Sequence, residues 1–314
     1  MDQNAPLVTI GLPTYNGARY LAQSIDALLN QDYPNVELVI SDNCSTDETE
    51  AIARAYAQRS DRVRYNRGET NLGVTANFNR VLGMARGTYF MWASDHDLWG
   101  STMISRCVAA LEADPAAVLA YPQSLLIDED GAVVEEMDDQ IELDQPSALD
   151  RYKHLIWRLD VCNMIYGVAR RDALVSTGGF ADAFSPDHLV LAKLVLQGPI
   201  LRVGGHLYMR RQNRPPETPD EDRERRLADL NPSKAGDRIS LPPDRLYRDL
   251  RDGHFRALEE SSLSSSEKLD ARLATLACFR ARFGVGSPLV TLLHAAARCT
   301  RQTARLNRRL GIGT

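Results

Sequence analysis

The chain has 314 residues, 44% of them hydrophobic and 25% charged, with a formal net charge of −5. That is the composition of a globular protein with room for a sizeable core, and its acidic balance gives no general attraction to nucleic acid. No eighteen-residue apolar run is present, residues 1–6 lack a basic or apolar leader pattern, and Cys44, Cys107, Cys162, Cys278 and Cys299 have no C-x-x-C spacing. A cytoplasmic protein with reduced thiols and no structural zinc is expected.

Residues 7–12 are a short β-rich run that Pro13 ends, and Thr14-Tyr15-Asn16-Gly17 is a turn. Leu21, Ile25, Leu28 and Leu29 then recur at helical spacing until Pro34-Asn35. Residues 36–40 form a second strand that ends in the polar cluster 41–48. Ser45 and Glu48 there have capping-box spacing, which predicts a helix reaching about Gln58. Residues 63–65 are a weak third strand, Asn71-Leu72-Gly73 is a turn, and residues 74–85 are helix-like. The aromatic-rich run 89–93 reads as a strand covered on both faces, and it stops at Ser94-Asp95-His96-Asp97-Leu98-Trp99. Strand and helix thus alternate over the first hundred residues, predicting an α/β fold with a doubly wound, mostly parallel sheet flanked by helices. The clusters Tyr15-Asn16, Asp42-Asn43 and 95–97 all follow strands, and ligands bind at the carboxyl ends of strands in such sheets.

Residues 101–113 are a further helix, and 117–121 and 125–127 are strand-like, with Asp130-Gly131 turning the chain back to Val133-Val134. The acidic stretch 135–144 reads as a solvated loop and 161–169 as a strand. Gly178-Gly179-Phe180 is a turn. Asp187 opens a helix closed by Gly198-Pro199, before a strand at 200–203. Residues 212–243 are charged and proline-bearing and read as a mobile loop or linker between a first domain, 1–211, and a helical region, 244–314. The last helix starts at Ser287-Pro288 and carries Arg298, Arg301, Arg305 and Arg308 opposite a thin apolar face. Two readings stay open for it. One is peripheral contact with an anionic membrane at its inner face; the other is a helix docked on its own domain with solvated arginines.

Asp95, His96 and Asp97 are three metal-ligand types within three residues. Their strand-end position, shared with the other polar clusters, favours a site over a solvated turn. Trp92 and Trp99 are expected in packing rather than as sugar platforms. Taken from its neighbours alone, Asp187 complements a helix dipole.

In order, Pro13-Thr14-Tyr15-Asn16-Gly17, then 41–47, then Asn71-Leu72-Gly73 with Asn79, then 94–99, resemble the successive signatures of family 2 glycosyltransferases. Gly178-Gly179-Phe180, Pro186-Asp187-His188 and Gly198 resemble that family's acceptor-side segment, so the likeness covers about residues 6–211. It implies a GT-A fold split into a nucleotide-sugar half, about 1–100, and an acceptor half. It also implies a nucleotide-diphospho-sugar donor, a hydroxyl acceptor, a divalent cofactor (Mn²⁺ or Mg²⁺) and inversion at the anomeric carbon. Carried onto the matching residues, the resemblance sets Thr14, Tyr15 and Asn16 around the nucleobase and Asp42 and Asn43 on the base or ribose. Asn71 and Gly73 shape the adjoining wall. Asp95 lies with the nucleotide-sugar, and Asp97 and His96 hold the metal that neutralises the leaving diphosphate. Asp187 is the general base, with His188 the alternative. His188, His206 and Arg210 fall on the diphosphate or acceptor side, and Arg211 could be a surface charge.

One departure stands out. Many members read D-x-D-D-hydrophobic-Trp. Aligning Leu98-Trp99 on that ending puts Ser94 at the first Asp and His96 at the usual metal ligand, where an imidazole favours Mn²⁺. The other register takes 95–97 as the D-x-D directly. Two rivals compete with the transferase reading. A sugar nucleotidyltransferase would need a glycine-rich loop where Pro13-Thr14-Tyr15-Asn16 stands. A non-catalytic nucleotide-sugar-binding subunit, suggested by Ser94 and His96, would have no need of Asp187. No G-x-G-x-x-G follows a strand, which argues against a dinucleotide-dependent dehydrogenase.

Overall fold

The computed structural model describes residues 5–212, 218–230 and 242–286. Strands Val8–Thr14 (β1), Val36–Asp42 (β2), Val63–Arg67 (β3) and Tyr89–Trp92 (β4) are joined by helices Ala18–Leu29 (α1), Thr49–Arg59 (α2) and Val74–Gly83 (α3). β1, β2 and β4 are buried along their whole length, which is why they read as continuous apolar runs. β2 and β4 flank β1 in parallel and β3 adds to β2, so the winding reverses between β1 and β4. That switch point leaves a crevice beyond the strands' carboxyl ends. Pro13 does not end β1; it pairs opposite Ser41, and Thr14 opposite Asp42. The proline is tolerated because β4 pairs only with Val8 to Gly11, so no ladder partner is missing on that side.

The second half supplies Leu98–Trp99 (β5), Met103–Ala113 (α4), Leu119–Ile127 (β6), Val133–Glu136 (β7), Ala148–Arg158 (α5), a 3₁₀ turn at Asn163–Tyr166, Val168–Arg170 (β8), Arg171–Ser176 (α6), Pro186–Gln197 (α7) and Ile200–Arg211 (β9). The sheet runs β3-β2-β1-β4-β8-β6-β9-β5, with β7 off β6. β8 is antiparallel to both β4 and β6, and β9 runs parallel to β6. Alternate residues of β4 feed the two cores: Phe90 and Trp92 lie on one face with Tyr121 and Leu191, Tyr89 and Met91 on the other with Ile10 and Trp99. Both tryptophans pack in the core, as expected.

Several local expectations change. α2 starts at Thr49 without a side-chain cap, because the Ser45 hydroxyl is taken by the Asn16 amide. The stretch 135–144 is not solvated throughout. Ile141 and Leu143 are buried, and the Tyr121 hydroxyl both donates to and accepts from the Ile141 backbone. Residues 161–169 are the 3₁₀ turn followed by the short β8, the turn being pinned by the Asn163 amide donating to Asp139 (2.9 Å).

Three helices follow among the described residues: Pro219–Leu230 (α8), Pro243–Glu260 (α9) and Ser265–Phe283 (α10). α8 stands where a loop was expected. Thr218 and Glu221 form a reciprocal cap at its start, with Pro219 between them. Leu227 and Leu230 then bury against Leu246 and Phe184. Among the described residues no helix is long and apolar enough to cross a membrane. The expected basic helix from Ser287 lies outside the described residues.

Candidate functional site

A cavity of about 650 Å³ opens beyond the carboxyl ends of β1 and β4. Its first wall is the turn after β1. The Thr14 hydroxyl donates to Asp95 Oδ2 (2.6 Å), tying the ends of β1 and β4 together. Gly17 is required at this junction, since a Cβ there would sit 2.3 Å from Asp95 Oδ2. Asn16 takes a left-handed backbone (φ 51°) and accepts from the Thr46 amide (2.8 Å). Tyr15 is 46% exposed at the rim, an accessible aromatic face.

The next wall is built from amides. Asn43 donates to Asn71 Oδ1 (2.7 Å) and to the Gly73 carbonyl (3.2 Å), and accepts from the Leu72 amide. Gly73 has φ 87°, a backbone that a side chain would strain. Asn77 donates to the Ser41 and Thr14 carbonyls from behind. Asp42 departs from expectation. It is fully buried and does not line the cavity; its oxygens accept from the Ser45 amide (2.8 Å) and the Tyr65 hydroxyl (2.7 Å). It braces the wall from inside.

Asp97 departs further. Its side chain is 2% exposed and accepts from the Ser94 hydroxyl (2.5 Å), the Tyr208 hydroxyl (2.6 Å) and the Arg211 amide (2.8 Å). Three donors are already seated on it, its Oδ1 lies 3.8 Å from His96 Nε2, and it does not line the cavity. Arg211 is not a surface charge. It is buried, donates to the carbonyls of His96, Asp128 and Glu129, and lies over the Tyr20 ring. Of the strip 95–97, Asp95 and His96 face the cavity, with Asp95 Oδ1 2.9 Å from His96 Nδ1. Among the described residues no three His, Cys, Asp or Glu side chains converge on a metal position. One carboxylate and one imidazole nevertheless suit a divalent cation that completes its shell with phosphate oxygens and water.

The opposite wall comes from the second half. Asn79 donates to the Phe180 carbonyl and accepts from its amide (both 2.8 Å), fixing the turn at Gly178-Gly179. Phe180 stacks edge-on with Phe78 and Trp92, so the core itself positions this wall. Ser185, left-handed at φ 50°, and Pro186 launch α7, and Asp187 in its first turn lines the cavity. Burial raises the Asp187 carboxyl above its ordinary value, while the His188 amide, the Cys162 thiol and the Arg226 charge pull the other way. Tyr166 also lines the cavity, stacked on Tyr208, and burial raises its phenol so that it stays a neutral donor. α8 adds Arg225, Arg226 and Asp229 to the rim, residues that no motif in the charged stretch had marked.

Three expected residues fall elsewhere. His188 turns into the helical layer, where its Nδ1 lies 3.0 Å from His254 Nε2. His254 Nδ1 lies 3.1 Å from the Tyr152 hydroxyl, which is 2.8 Å from the Thr275 hydroxyl. Thr275 spends its proton on the Ala271 carbonyl. It must therefore accept from Tyr152, Tyr152 from His254, and His254 from His188, so both imidazoles are neutral and each carries its proton on Nδ1. Burial accordingly pushes His188 down to about 4 and His254 well below its usual value. His206 lies 3.6 Å from Glu136 and does not line the cavity. Arg210 does not line it either, although its charge acts on Cys162 and Tyr166.

Residues 9–137 match the family model described as glycosyl transferase family 2. An uncharacterized glycosyltransferase of Rickettsia typhi is 36% identical over 132 residues, 41% of this chain and 40% of that protein. The putative glycosyltransferase EpsE of Bacillus subtilis is 37% identical over 110 residues, 35% of this chain and 40% of that protein. The chain thus spans about 40% of the length of these curated relatives. Among solved structures, S. aureus TarS 1–349 in complex with UDP-GlcNAc covers 88% of this chain and 73% of its own, with a TM-score of 0.66 at 18% identity. The mannosyltransferase PcManGT from Pyrobaculum calidifontis, in complex with GDP-Man and Mn²⁺, covers 99% and 84%, with a TM-score of 0.52 at 19% identity. The architecture is that of the GT-A fold.

Proposed function

We propose that this chain, whose residues 9–137 match the glycosyl transferase family 2 model, transfers a sugar from a nucleoside-diphosphate donor to an acceptor hydroxyl with inversion. The observation that carries the reading is the meeting, in one cavity at the switch point, of an amide-lined wall and a part-buried carboxylate, Asp187. Fold neighbours hold UDP-GlcNAc and GDP-Man, which supports a nucleotide-sugar as donor.

In this reading the base stacks on Tyr15, and Asn43 and Asn71 meet its polar edge or the ribose. Thr14 and Asn16 hold the turn, and Gly73 and Asp42 act at one remove by shaping it. Asp95 and His96 face the diphosphate; a divalent cation bound there would neutralise the leaving group's charge. Asp187 takes the acceptor hydroxyl's proton as that oxygen bonds to the anomeric carbon and the carbon–phosphate-oxygen bond breaks. Its raised pKa makes it a stronger base than a solvated carboxylate. Tyr166, neutral and inside the cavity, is positioned to donate to the sugar or a phosphate oxygen. α8 closes the acceptor rim against water.

A thermal-shift screen of UDP and GDP, with Mn²⁺ or with EDTA, tests this reading. One of them, with metal, should raise the melting point; at a hundredfold excess over Kd the stabilisation is about 2.7 kcal/mol. No shift with either nucleotide would remove the donor site.

A further inference from the structure

We propose that Arg225 and Arg226 of α8 form an anion subsite that selects an acceptor bearing a phosphate group near the hydroxyl that reacts; this rests on the transferase reading above. The cavity divides by sequence. Its donor half comes from the β1 turn, Asn43, Asn71, α3 and the strip Ser94–His96; α8 touches α3 on that side and packs on Phe184 on the side that holds Asp187. α8 is not a loose flap on that half. Leu227 is fully buried and Leu230 nearly so, both packed on Leu246 and Phe184, the residue just before the α7 turn. The arginines are therefore presented at a fixed place relative to the base.

The electrostatics point the same way. The Arg226 charge acts on Asp187 and lowers its pKa against the effect of burial. A cation beside a general base weakens that base. For a neutral hydroxyl acceptor this is a cost with no return, but for an acceptor with its own anion it supplies the counter-charge. Arg210 adds a second positive field over Cys162 and Tyr166 on the same side. Arginine forks match phosphate oxygens in pairs, and the Arg225–Asp229 contact, at 3.6 Å and half-exposed, is screened by solvent. Across the cavity, a divalent cation held by Asp95 and His96 would take the donor's own diphosphate.

The test is calorimetry with sn-glycerol 3-phosphate, and with glycerol as the uncharged control, on protein saturated with the nucleoside diphosphate that binds best. Glycerol phosphate should bind and glycerol should not, with affinity falling as salt rises. Arg225→Gln/Arg226→Gln should weaken glycerol phosphate at least tenfold, Arg226→Lys should recover part of the loss, and nucleotide affinity should stay within threefold. An unchanged melting curve and helical circular dichroism confirm that α8 is retained. Equal glycerol phosphate binding by parent and double variant overturns the proposal. So does a tenfold loss of nucleotide affinity, which would assign the arginines to the donor diphosphate. If no nucleotide binds at all, the transferase reading fails on its own. The glycerol phosphate titration of unliganded protein then still decides the anion site, by the same loss or its absence. Given binding, co-sedimentation with phosphatidylcholine vesicles, with and without phosphatidic acid, identifies the source. Retention that drops in the double variant assigns the phosphate to a lipid, and no drop assigns it to a soluble glycan or polyol.

Discussion

Substituting Asp97 by Asn separates a structural carboxylate from a metal ligand. The parent side chain is 2% exposed and takes two hydroxyl donors, at 2.5 and 2.6 Å, and one backbone amide, at 2.8 Å. Asparagine fills the same volume but keeps one acceptor oxygen, and its amide nitrogen must face a donor. At least one buried donor loses its partner, at about 1–3 kcal/mol, and the remaining bonds lose the charge that strengthens them. Breaking a buried charged network from one side costs about 3–5 kcal/mol in all. Against a native stability of about 5–15 kcal/mol this is large. The assay is urea unfolding followed by tryptophan fluorescence, with Trp92 and Trp99 in the two cores. With a slope of about 3 kcal/mol/M, the midpoint should drop by roughly 1 M or more. An unfolding free energy unchanged within about 0.5 kcal/mol, together with loss of Mn²⁺-dependent nucleotide binding, would refute the reasoning and return Asp97 to the metal.

Two further outcomes follow from the geometry. His188 is held neutral when folded, at about 4 against an ordinary value of 6.5, so the unfolded chain binds the extra proton between those values. Stability is then full above pH 6.5 and falls as pH drops toward 4, by about 2 kcal/mol at pH 5 for this residue alone, while Asp187, raised by burial, opposes it. Urea midpoints at pH 7 and pH 5 should fall more for the parent than for His188→Phe, and equal falls would contradict the relay. At the Phe180 turn, Gly179 has φ 70° and its added Cβ would lie 2.3 Å from Asn79 Oδ1, whereas Gly178 has φ 80° and open space. Gly178→Ala should cost about 1 kcal/mol from backbone strain, and Gly179→Ala more than that, with the Asn79 clamp displaced. Equal unfolding midpoints for the two would show that the clamp carries no weight.

The alternation of strand and helix through Trp92 was legible because fully buried parallel strands leave unbroken apolar runs, bounded by turns. The donor wall was legible for the same reason: Tyr15, Asn43, Asn71 and Asp95 stand where those runs stop. What spacing could not convey was side-chain direction. Asp95 and Asp97 are two residues apart, yet one faces the cavity and the other is claimed by Tyr208 and Arg211, more than a hundred residues on. Asp42 and His188 are hidden from sequence in the same way, by Tyr65 and by His254. Ser45 looked like a cap because its competitor, the Asn16 amide, lies 29 residues back. α8 was missed for a different reason. Prolines and charge suggested a linker, although Thr218 and Glu221 flank Pro219 with the spacing of a reciprocal helix cap.

The assignment of Asp187 as the base is tested most directly by Asp187→Asn, compared with the parent in nucleotide affinity and in donor turnover, read as nucleoside diphosphate released. Removing a positioned base costs about 10²–10⁴ in rate. The expected result is nucleotide affinity within threefold of the parent and turnover reduced at least a hundredfold. Turnover at the parent rate would show that the proton leaves by another route and that Asp187 only begins a helix.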